Sequence, residues 1–320
     1  MIASRTTLRR VADAMLEASV VASFTKIGPE ARSELFDWDE PASNMTGSTV
    51  LVTGGSSGIG RSIAEQLVSA GAHVVLTSRS LERAQSVAAD LNATNPSGRA
   101  TGAEVDTGDL GSVHALAQHV AAETEQLDVL IHNAGALTDD YRANDRGVEL
   151  TLASHLVGPY ALTLALRPHL APGARVLWMA SGGMYTQKLD VDRIQMSADD
   201  YRGAVAYARA KRGQVELVDF LGRAWAPDVQ MHAMHPGWVD TDGVAQALPG
   251  FGKLMGPLLR STEQGADTMV WLACGGADDA VPGQFWLDRR PRSTTYLPRT
   301  GTDDWERARL VAWLDAQLAD

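Results

Sequence analysis

The chain has 320 residues, of which 45% are hydrophobic and 21% are charged, and its 28 basic and 39 acidic residues give a formal net charge of -11. A chain of this size and composition can bury the core of one α/β domain. The acidic balance disfavours nucleic acid and anionic lipid as partners and favours a small molecule. Cys274 is the one cysteine, which excludes an intramolecular disulfide, and no Cys/His cluster indicates a metal site. We therefore expect a reducing, cytoplasmic compartment and no metal.

Residues 1–46 precede the first predicted strand and are expected to form an N-terminal helical extension. The stretch from Leu8 to Ile27 is rich in apolar residues, but five charged residues interrupt it: Arg9, Arg10, Asp13, Glu17 and Lys26. So many charges exclude a transmembrane span, and the stretch also lacks the apolar core of a secretory signal. We predict a weakly amphipathic helix of the mature protein, through which a peripheral attachment to a membrane stays open.

From Thr49 onward, short β-rich runs alternate with helical patterns, which is typical of repeated βαβ units. Seven strands are predicted, near Thr49 to Thr53, His73 to Ser78, Thr101 to Val105, Asp128 to His132, Arg175 to Ala180, Gln230 to His235 and Gln284 to Leu287. The helices between them are predicted over Ile59 to Ala70, Leu81 to Leu91, Leu110 to Thr124, Gly147 to Leu170 and Tyr201 to Trp225. The pattern predicts a doubly wound α/β fold of the Rossmann type over residues 47–288. Its sheet of about seven strands should be mostly parallel, with helices on both faces and ligands beyond the carboxyl ends of the strands.

The tail, residues 289–320, begins with an Arg/Pro-rich turn and ends in a predicted helix. Five apolar residues could form one stripe along that helix: Trp305, Leu310, Trp313, Leu314 and Leu318. We expect the tail to pack on the core.

A glycine-rich loop follows the first predicted strand directly. It comprises Thr53, Gly54, Gly55, Ser56, Ser57, Gly58, Ile59 and Gly60, and a helical pattern follows it. Glycines let the backbone approach a pyrophosphate, and the N–H groups and dipole of the helix start favour its negative charge. The sequence thus predicts cofactor contacts from Gly54, Ser56, Ser57, Gly58, Ile59 and Gly60. A glycine-rich turn without a ligand is the alternative.

The ends of the next strands indicate which dinucleotide would bind. The second strand ends in Ser78 and Arg79, without the acidic residue that would bind the ribose hydroxyls of NAD. The planar guanidinium of Arg79 suits the 2'-phosphate of NADP(H), although an ordinary surface arginine is the alternative. Asp106 follows the third strand, at a carboxyl end where the adenine and a ribose would lie. The fourth strand supplies three more cofactor candidates at the same edge: Asn133, Ala134 and Gly135.

Five motifs occur in a fixed order, namely TGGSSGIG at 53–60, HNAG at 132–135, ASGG at 180–183, YARAK at 207–211 and HPGWVDT at 235–241. Together they resemble the short-chain dehydrogenase/reductase family, and the similarity spans roughly residues 49–287. The stretches SGGMYTQKL, HPGWVDTDGV and STEQGADTMVWLA resemble the subgroup named dehydrogenase/reductase SDR family member 12, near the retinol dehydrogenases. The resemblance implies a Rossmann fold, NAD(H) or NADP(H), and interconversion of alcohols with ketones or aldehydes.

The resemblance also assigns roles to Ser181, Tyr207 and Lys211. Tyr207 and Lys211 are four residues apart in a helical pattern, so both side chains project from one face, although a solvated pair would share this spacing. A tyrosine has a pKa of about 10, and a nearby ammonium favours its ionised form. By resemblance, Tyr207 exchanges the proton with the substrate oxygen, Lys211 also binds the nicotinamide ribose, and Ser181 donates a hydrogen bond to that oxygen.

Two further segments matter in the resemblance. Pro236, Gly237, Val239 and Thr241 match the part that holds the nicotinamide, whereas we expect Asp240 to be solvated. Ser154 stands where the family usually has a catalytic asparagine whose backbone carbonyl holds a water that leads to the lysine. Serine keeps that carbonyl, so Ser154 remains a catalytic candidate, but the local helix geometry is in doubt. A structural or solvent-facing role is expected for the adjacent His155.

The substrate side is less defined by the sequence. Met184, Tyr185 and the segment Val244 to Leu259, with Leu248, Phe251, Leu254, Met255 and Leu258, could line an apolar pocket, or could pack into the core. We expect a small lipophilic carbonyl or alcohol as the substrate, and self-association of the chain into a homo-oligomer stays open. Two alternatives stay open: a catalytically weak NADP(H)-binding sensor or scaffold, and a membrane-associated interaction protein that uses residues 1–46.

Overall fold

The computed structural model describes residues 2–38, 44–135, 137–241, 255–296 and 300–319, with side chains from Thr6 onward. Within these ranges the α-helices are α1 (Ile2–Ala18), α2 (Val20–Phe24), α3 (Ile27–Phe36), α4 (Gly58–Ser69), α5 (Leu81–Thr94), α6 (Leu110–Glu123), α7 (Leu150–Leu152), α8 (Gly158–Leu166), α9 (Gly203–Trp225), α10 (Thr262–Ala273) and α11 (Asp304–Leu318). A π-helix spans Ala153–Val157, and short 3-10 helices span Arg167–His169, Gly182–Thr186, Val191–Arg193 and Gly256–Leu258. The strands are β1 (Thr49–Val52), β2 (His73–Ser78), β3 (Arg99–Glu104), β4 (Leu127–His132), β5 (Leu170–Met179), β6 (Val229–Met234), β7 (Phe285–Leu287) and β8 (Arg290–Arg292).

The described strands form one sheet in the order β3-β2-β1-β4-β5-β6-β7-β8. Neighbouring strands are parallel from β3 through β7, which confirms the predicted α/β Rossmann-type fold. The last strand was not predicted, and it pairs antiparallel with β7. Asp288 and Arg289 connect the two with φ of 53° and 54°, as in a two-residue hairpin turn. Such turns usually contain Asn or Gly, and this one contains neither, so the sequence did not reveal it.

Alternate residues of the central strands enter two separate cores, one on each face of the sheet. Leu51 of β1 joins the core beneath α6, α8, α9 and α11, whereas Val50 and Val52 join the core beneath α4, α5 and α10. Because successive side chains of a strand point to opposite faces, a continuous apolar run such as Val50–Val52 requires cover on both sides. The helices therefore lie on both faces, as predicted.

The direction of winding changes between β1 and β4. The chain adds β2 and β3 on one side of β1, and then adds β4 and the later strands on its other side. In open parallel sheets, ligands bind in the crevice beyond the carboxyl ends of the strands at such a switch point. The glycine loop follows β1 and Asn133 follows β4, so both lie at this crevice.

The predicted helix over Gly147 to Leu170 is interrupted. Helix begins at Leu150, passes through the π-helical turn Ala153–Val157, and continues as α8 until Leu166. The remaining predicted residues form a 3-10 turn, and Leu170 already belongs to β5. Helical periodicity does not separate a π turn from an α turn over five residues, so this prediction was wrong in its continuity.

The C-terminal helix α11 packs on the sheet domain. Leu310 and Leu314 of α11 are fully buried in the core, and the hydroxyl of Tyr160 donates to Asp315 at 2.7 Å. Trp313 and Leu318 pack at the edge of the same core. The prediction for Trp305 was wrong, since it is 68% exposed and the guanidinium of Arg309 lies over its ring.

Candidate active site

The glycine loop turns sharply between β1 and α4. Gly54 adopts a φ of 67°, which favours glycine, and its amide donates to the hydroxyl of Thr77 at 3.2 Å. A Cβ on Gly60 would lie 2.2 Å from the carbonyl oxygen of Gly54, so only glycine lets α4 approach the loop so closely. Ser57 precedes α4 without capping it through its side chain. The first N–H groups of this helix therefore remain directed at the crevice without that cap.

Asn133 ties the loop to the end of β4. Its side-chain amide donates to the carbonyl oxygens of Thr53 at 3.0 Å and Gly54 at 3.2 Å. In return, the hydroxyl of Thr53 accepts from the backbone amides of Asn133 and Ala134 at 3.0 and 3.1 Å. These bonds hold the loop in place without a ligand, because the side chain of Asn133 binds the backbone carbonyls of the loop.

The ends of β2 and β3 place the other cofactor candidates. Arg79 is exposed, and within the described residues it makes no ion pair. The carboxylate of Asp106 accepts from the amide of Gly108 at 2.8 Å, while its own amide donates to the hydroxyl of Ser112 at 2.9 Å. Asp106 therefore shapes its turn, and Arg79 leaves its guanidinium available to an anion.

The structure brings Ser181, Tyr207 and Lys211 together. Ser181 is the second residue after β5, and its hydroxyl accepts from the amide of Gly183 at 3.2 Å. Its side chain is near enough to Tyr207 to lower the pKa of the phenol. On the same helix, the ammonium nitrogen of Lys211 lies 5.5 Å from the centre of the Tyr207 ring and donates to the carbonyl oxygen of Met179 at 2.5 Å.

Burial controls the titration of both α9 side chains. It lowers the pKa of the buried Lys211 to about 7. Burial also raises the pKa of Tyr207, and the hydrogen bond with Ser181 partly opposes this rise. The sequence predicted that Lys211 lowers the pKa of Tyr207, but in this arrangement desolvation has the larger effect.

Ser154 lies inside the π-helical turn, and its hydroxyl donates to the carbonyl of Thr151 at 3.4 Å. The Ser154 hydroxyl therefore binds a carbonyl of its own helix. π turns within α-helices are frequent at functional sites. Of the two roles expected for His155, the structure shows the structural one. Its buried ring contacts Tyr207 edge-on with centroids 5.1 Å apart, and a Cβ on Gly135 would lie 2.0 Å from it. The ring lies between Tyr207 and the turn after β4, a contact that the sequence did not predict.

The segment after β6 faces the glycine loop. Gly237 has a φ of 78°, and its amide donates to Nδ1 of His235 at 3.1 Å. Val239 is buried and forms a parallel bridge with Arg260, whereas Asp240 is exposed as expected. The methyl of Thr241 lies 3.6 Å from the point where a Cβ on Gly58 would stand. Thr241 and the start of α4 therefore border the same part of the crevice, and Pro236 lies at its edge.

These observations fit a dinucleotide. A glycine loop that a Cβ would block, a helix start without a side-chain cap and an exposed guanidinium at the end of β2 are complementary to phosphate groups. Within the described ranges, no group of three or more His, Cys, Asp or Glu side chains could hold a metal ion. None of the described helices is long and apolar enough to cross a bilayer.

The structure corrects one part of the predicted substrate side. Met184 is fully buried in the core, and Tyr185 donates to the backbone of Ser293 at 2.9 Å while it packs on Phe285. Both residues therefore serve the core and the C-terminal tail. Leu248, Phe251 and Leu254 lie outside the described residues, whereas Met255 and Leu258 are half-buried.

Comparisons with known proteins agree with this geometry. The sequence profile described as short chain dehydrogenase matches residues 48–250. Dehydrogenase/reductase SDR family member 12 of Bos taurus is 37% identical over 303 residues, which cover 93% of this chain and 95% of the relative. Retinol dehydrogenase 12 of Homo sapiens is 28% identical over 249 residues, which cover 76% and 78% of the two chains. A solved structure of an uncharacterized protein from Mycobacterium Paratuberculosis shares the fold, with a TM-score of 0.69, 23% identity and coverage of 86% and 94%.

Proposed function

Because the chain belongs to the short-chain dehydrogenase/reductase family, we propose that it is an NADP(H)-dependent oxidoreductase that interconverts a lipophilic alcohol with its ketone or aldehyde. The observation that carries the proposal is the placement of Ser181, Tyr207 and the buried Lys211 at the crevice of the glycine loop. Lys211 contacts the Tyr207 ring and donates to the carbonyl oxygen of Met179, two residues before Ser181. A protein that only binds a dinucleotide has no use for a buried phenol, serine and lysine at this place.

The chemistry of these side chains follows from their positions. Bound NADP(H) supplies or accepts the hydride at the substrate carbon. Tyr207 gives its hydroxyl proton to the substrate oxygen in reduction and takes that proton back in oxidation. The hydroxyl of Ser181 donates a hydrogen bond to the same oxygen, which strengthens as negative charge develops there. Lys211 holds the nicotinamide ribose, and in its protonated form it would favour the phenolate of Tyr207 against the burial that raises the pKa of the phenol.

NADP(H) is preferred in this proposal because of Arg79. The side chain stands at the end of β2, where an NAD enzyme would present a carboxylate to the ribose hydroxyls. An exposed guanidinium without an ion pair among the described residues gains a charge-assisted hydrogen bond from a 2'-phosphate. The lipophilic substrate class rests on Met255 and Leu258, which are half-buried apolar residues on the described part of the loop after β6, and on the name of the relative retinol dehydrogenase 12.

A panel of ketones, aldehydes and alcohols of increasing apolar size tests the function, with turnover followed by the absorbance of NADPH. We expect activity with apolar carbonyl compounds and NADPH, and its loss in Tyr207→Phe. Binding of NADPH without turnover of any member would instead support the sensor or scaffold. Self-association stays a prediction, for which light scattering of the purified chain is the measurement.

We further infer a cytoplasmic protein that touches membranes peripherally. Leu8, Val11 and Met15 follow one another at spacings of three and four residues on α1, and they are 67%, 46% and 70% exposed. The acidic Asp13 of the same helix is buried instead. An outward apolar stripe suits the interface of a bilayer. In a flotation assay, the wild type should float with liposomes and a Leu8→Ser/Met15→Ser variant should not. If the wild type does not float either, the attachment is rejected.

A further inference from the structure

Phe24 connects the N-terminal helices with both sides of the candidate site. Its ring is buried and lies edge-on to His235 with centroids 4.4 Å apart, and to Trp238 at 5.7 Å. On its other side, a Cβ on Gly182 would lie 2.6 Å from the ring. Since Gly182 directly follows Ser181, one aromatic ring separates the turn that carries the catalytic serine from the segment that ends in Thr241.

Backbone hydrogen bonds hold this ring in place. The carbonyl oxygen of Phe24 accepts from the amide of Trp238 at 2.7 Å, and the amide of Lys26 donates to the carbonyl of Leu258 at 3.0 Å. The guanidinium of Arg260 reaches the carbonyl oxygens of three successive residues, Ser23, Phe24 and Thr25, at 2.6, 3.1 and 3.2 Å. The end of α2 is thus joined to the chain on both sides of residues 242–254.

A buried group of charges anchors the same helices. Asp288, in the turn between β7 and β8, accepts from Arg260 at 2.6 Å and from Arg32 of α3 at 2.5 Å. Arg32 also pairs with Asp13 of α1 at 2.8 Å and with Glu17 at 2.7 Å. Buried ion pairs add little net stability but require a defined geometry, because an unpaired partner is costly. The arrangement therefore fixes the orientation of α1–α3 more than their affinity for the core.

We propose that Phe24 is a positioning residue of the reaction, which sets the distance between the Ser181 turn and the nicotinamide-side segment 235–241. The inference rests on the proposed oxidoreductase function, and it assigns a role in that reaction to residues 2–38, which lie outside the motifs of the family. The ring works as a spacer: it meets a glycine on one side, where any side chain would push the serine turn away, and an aromatic pair on the other. A displacement of about 1 Å in such a site can cost about a hundredfold in rate.

A double-mutant cycle tests the spacer. Phe24→Ala removes the ring, and Gly182→Ala adds a methyl group that collides with it. We expect each single change to lower kcat about tenfold or more, with the KM for substrate and the Kd for NADPH changed less than about threefold, because the phosphate contacts are untouched. In the double variant the methyl group takes part of the space of the ring, so the combined loss should be smaller than the product of the two single losses.

Two controls separate positioning from general damage. Phe36→Ala removes a ring from the same helices, but that ring packs under Arg290 and not against the site, so kcat should stay near wild type. Phe24→Leu keeps an apolar side chain and should restore much of the kcat lost in Phe24→Ala. Thermal unfolding of each variant shows which ones are folded. If Phe24→Ala does not fold, the cycle is measured with Phe24→Leu and Gly182→Ala instead.

The emission of bound NADPH gives a readout that needs no turnover. A nicotinamide ring held less firmly should emit differently in Phe24→Ala, and not in Phe36→Ala. If the wild type binds NADPH but reduces nothing, the proposed function fails while this comparison still tests the spacer. The proposal would be overturned if Phe24→Ala and Phe36→Ala had equal kcat and equal NADPH emission. It would also be overturned if the losses of Phe24→Ala and Gly182→Ala simply multiplied in the double variant.

Discussion

Tyr207 and Lys211 show how burial and function oppose each other at one pair of residues. Desolvation favours the neutral form of each group: it raises the pKa of Tyr207 and lowers that of Lys211 to about 7. The side chain of Ser181 lowers the pKa of Tyr207, but burial raises it by more. In the proposed mechanism, a positive charge at Lys211 would favour the phenolate of Tyr207, so a ligand that stabilises this charge would favour proton exchange.

Replacing Tyr207 by Phe tests its role in proton exchange. The variant keeps the ring and its contact with His155 but loses the exchangeable proton. Positioned acid–base catalysis is worth about a hundredfold to ten-thousandfold, so kcat should fall at least about a hundredfold while NADPH affinity stays near wild type. Lys211→Met, as the matched variant, should impair both turnover and NADPH binding. Single-turnover reduction by Tyr207→Phe at nearly the wild-type rate would remove Tyr207 from the mechanism.

Replacing Arg79 by Ala tests the cofactor preference. A hydrogen bond to a charged group contributes about 1.5–3 kcal/mol, so the Kd for NADPH should rise about tenfold or more. NADH has no 2'-phosphate, so its Kd serves as the control and should stay unchanged. Titrations of the two dinucleotides by fluorescence decide the matter, and an equal loss for both would reject the assignment to Arg79.

At this scale the sequence predicts best what local spacing determines. The helical spacing of Tyr207 and Lys211 and the strand end before Ser181 bring the three side chains together as expected. The contact of His155 with Gly135 and Tyr207 joins three separate segments, so no local pattern contained it. The same holds for Phe24, whose neighbours lie more than 150 positions further along the chain.

Among the elements, the strands and helices of the sheet domain follow their patterns, whereas the connections do not. Continuous apolar runs such as Val50–Val52 require two covered faces, and the structure supplies both. The β7–β8 hairpin depends on positive φ at Asp288 and Arg289, which these residues do not prefer. Packing imposes this turn, because the buried Asp288 is held by Arg32 and Arg260. The π turn at Ala153–Val157 has the same apolar periodicity as an α-helix, so the pattern did not reveal it.

The C-terminal helix α11 offers a stability prediction. Leu314 is fully buried against the core, so Leu314→Ala should lower the free energy of unfolding by about 2–5 kcal/mol. Trp305→Ala, on the exposed side of the same helix, should change it by less than about 0.5 kcal/mol. Urea unfolding of the two variants measures both values. Equal stability of the two would mean that α11 does not dock on the core in solution.

At the scale of the whole molecule, the pKa values of three buried histidines among the described residues depart from the usual value: His132 in β4, His232 in β6 and His235 directly after β6. Burial lowers the pKa of His132 to about 3 and that of His232 to about 4. Burial also holds the pKa of His235 well below its usual value, and the nearby charges of Arg260, Arg32 and Arg292 add to this effect. In the unfolded chain, each of these imidazoles titrates near 6.5. Below that pH the unfolded chain binds protons that the folded chain does not.

The free energy of unfolding should therefore fall as the pH is lowered from about 6.5 toward 4, and it should be insensitive to these groups above about 7. Each histidine contributes a slope of about 1.4 kcal/mol per pH unit in that window. His132→Phe keeps the contact with Trp178 and removes one titrating group, so its slope should be shallower by about that amount. His119→Gln, at an exposed position, should leave the slope unchanged. Urea unfolding at several pH values measures these slopes, and identical slopes for the wild type and His132→Phe would show that His132 is protonated in the folded protein.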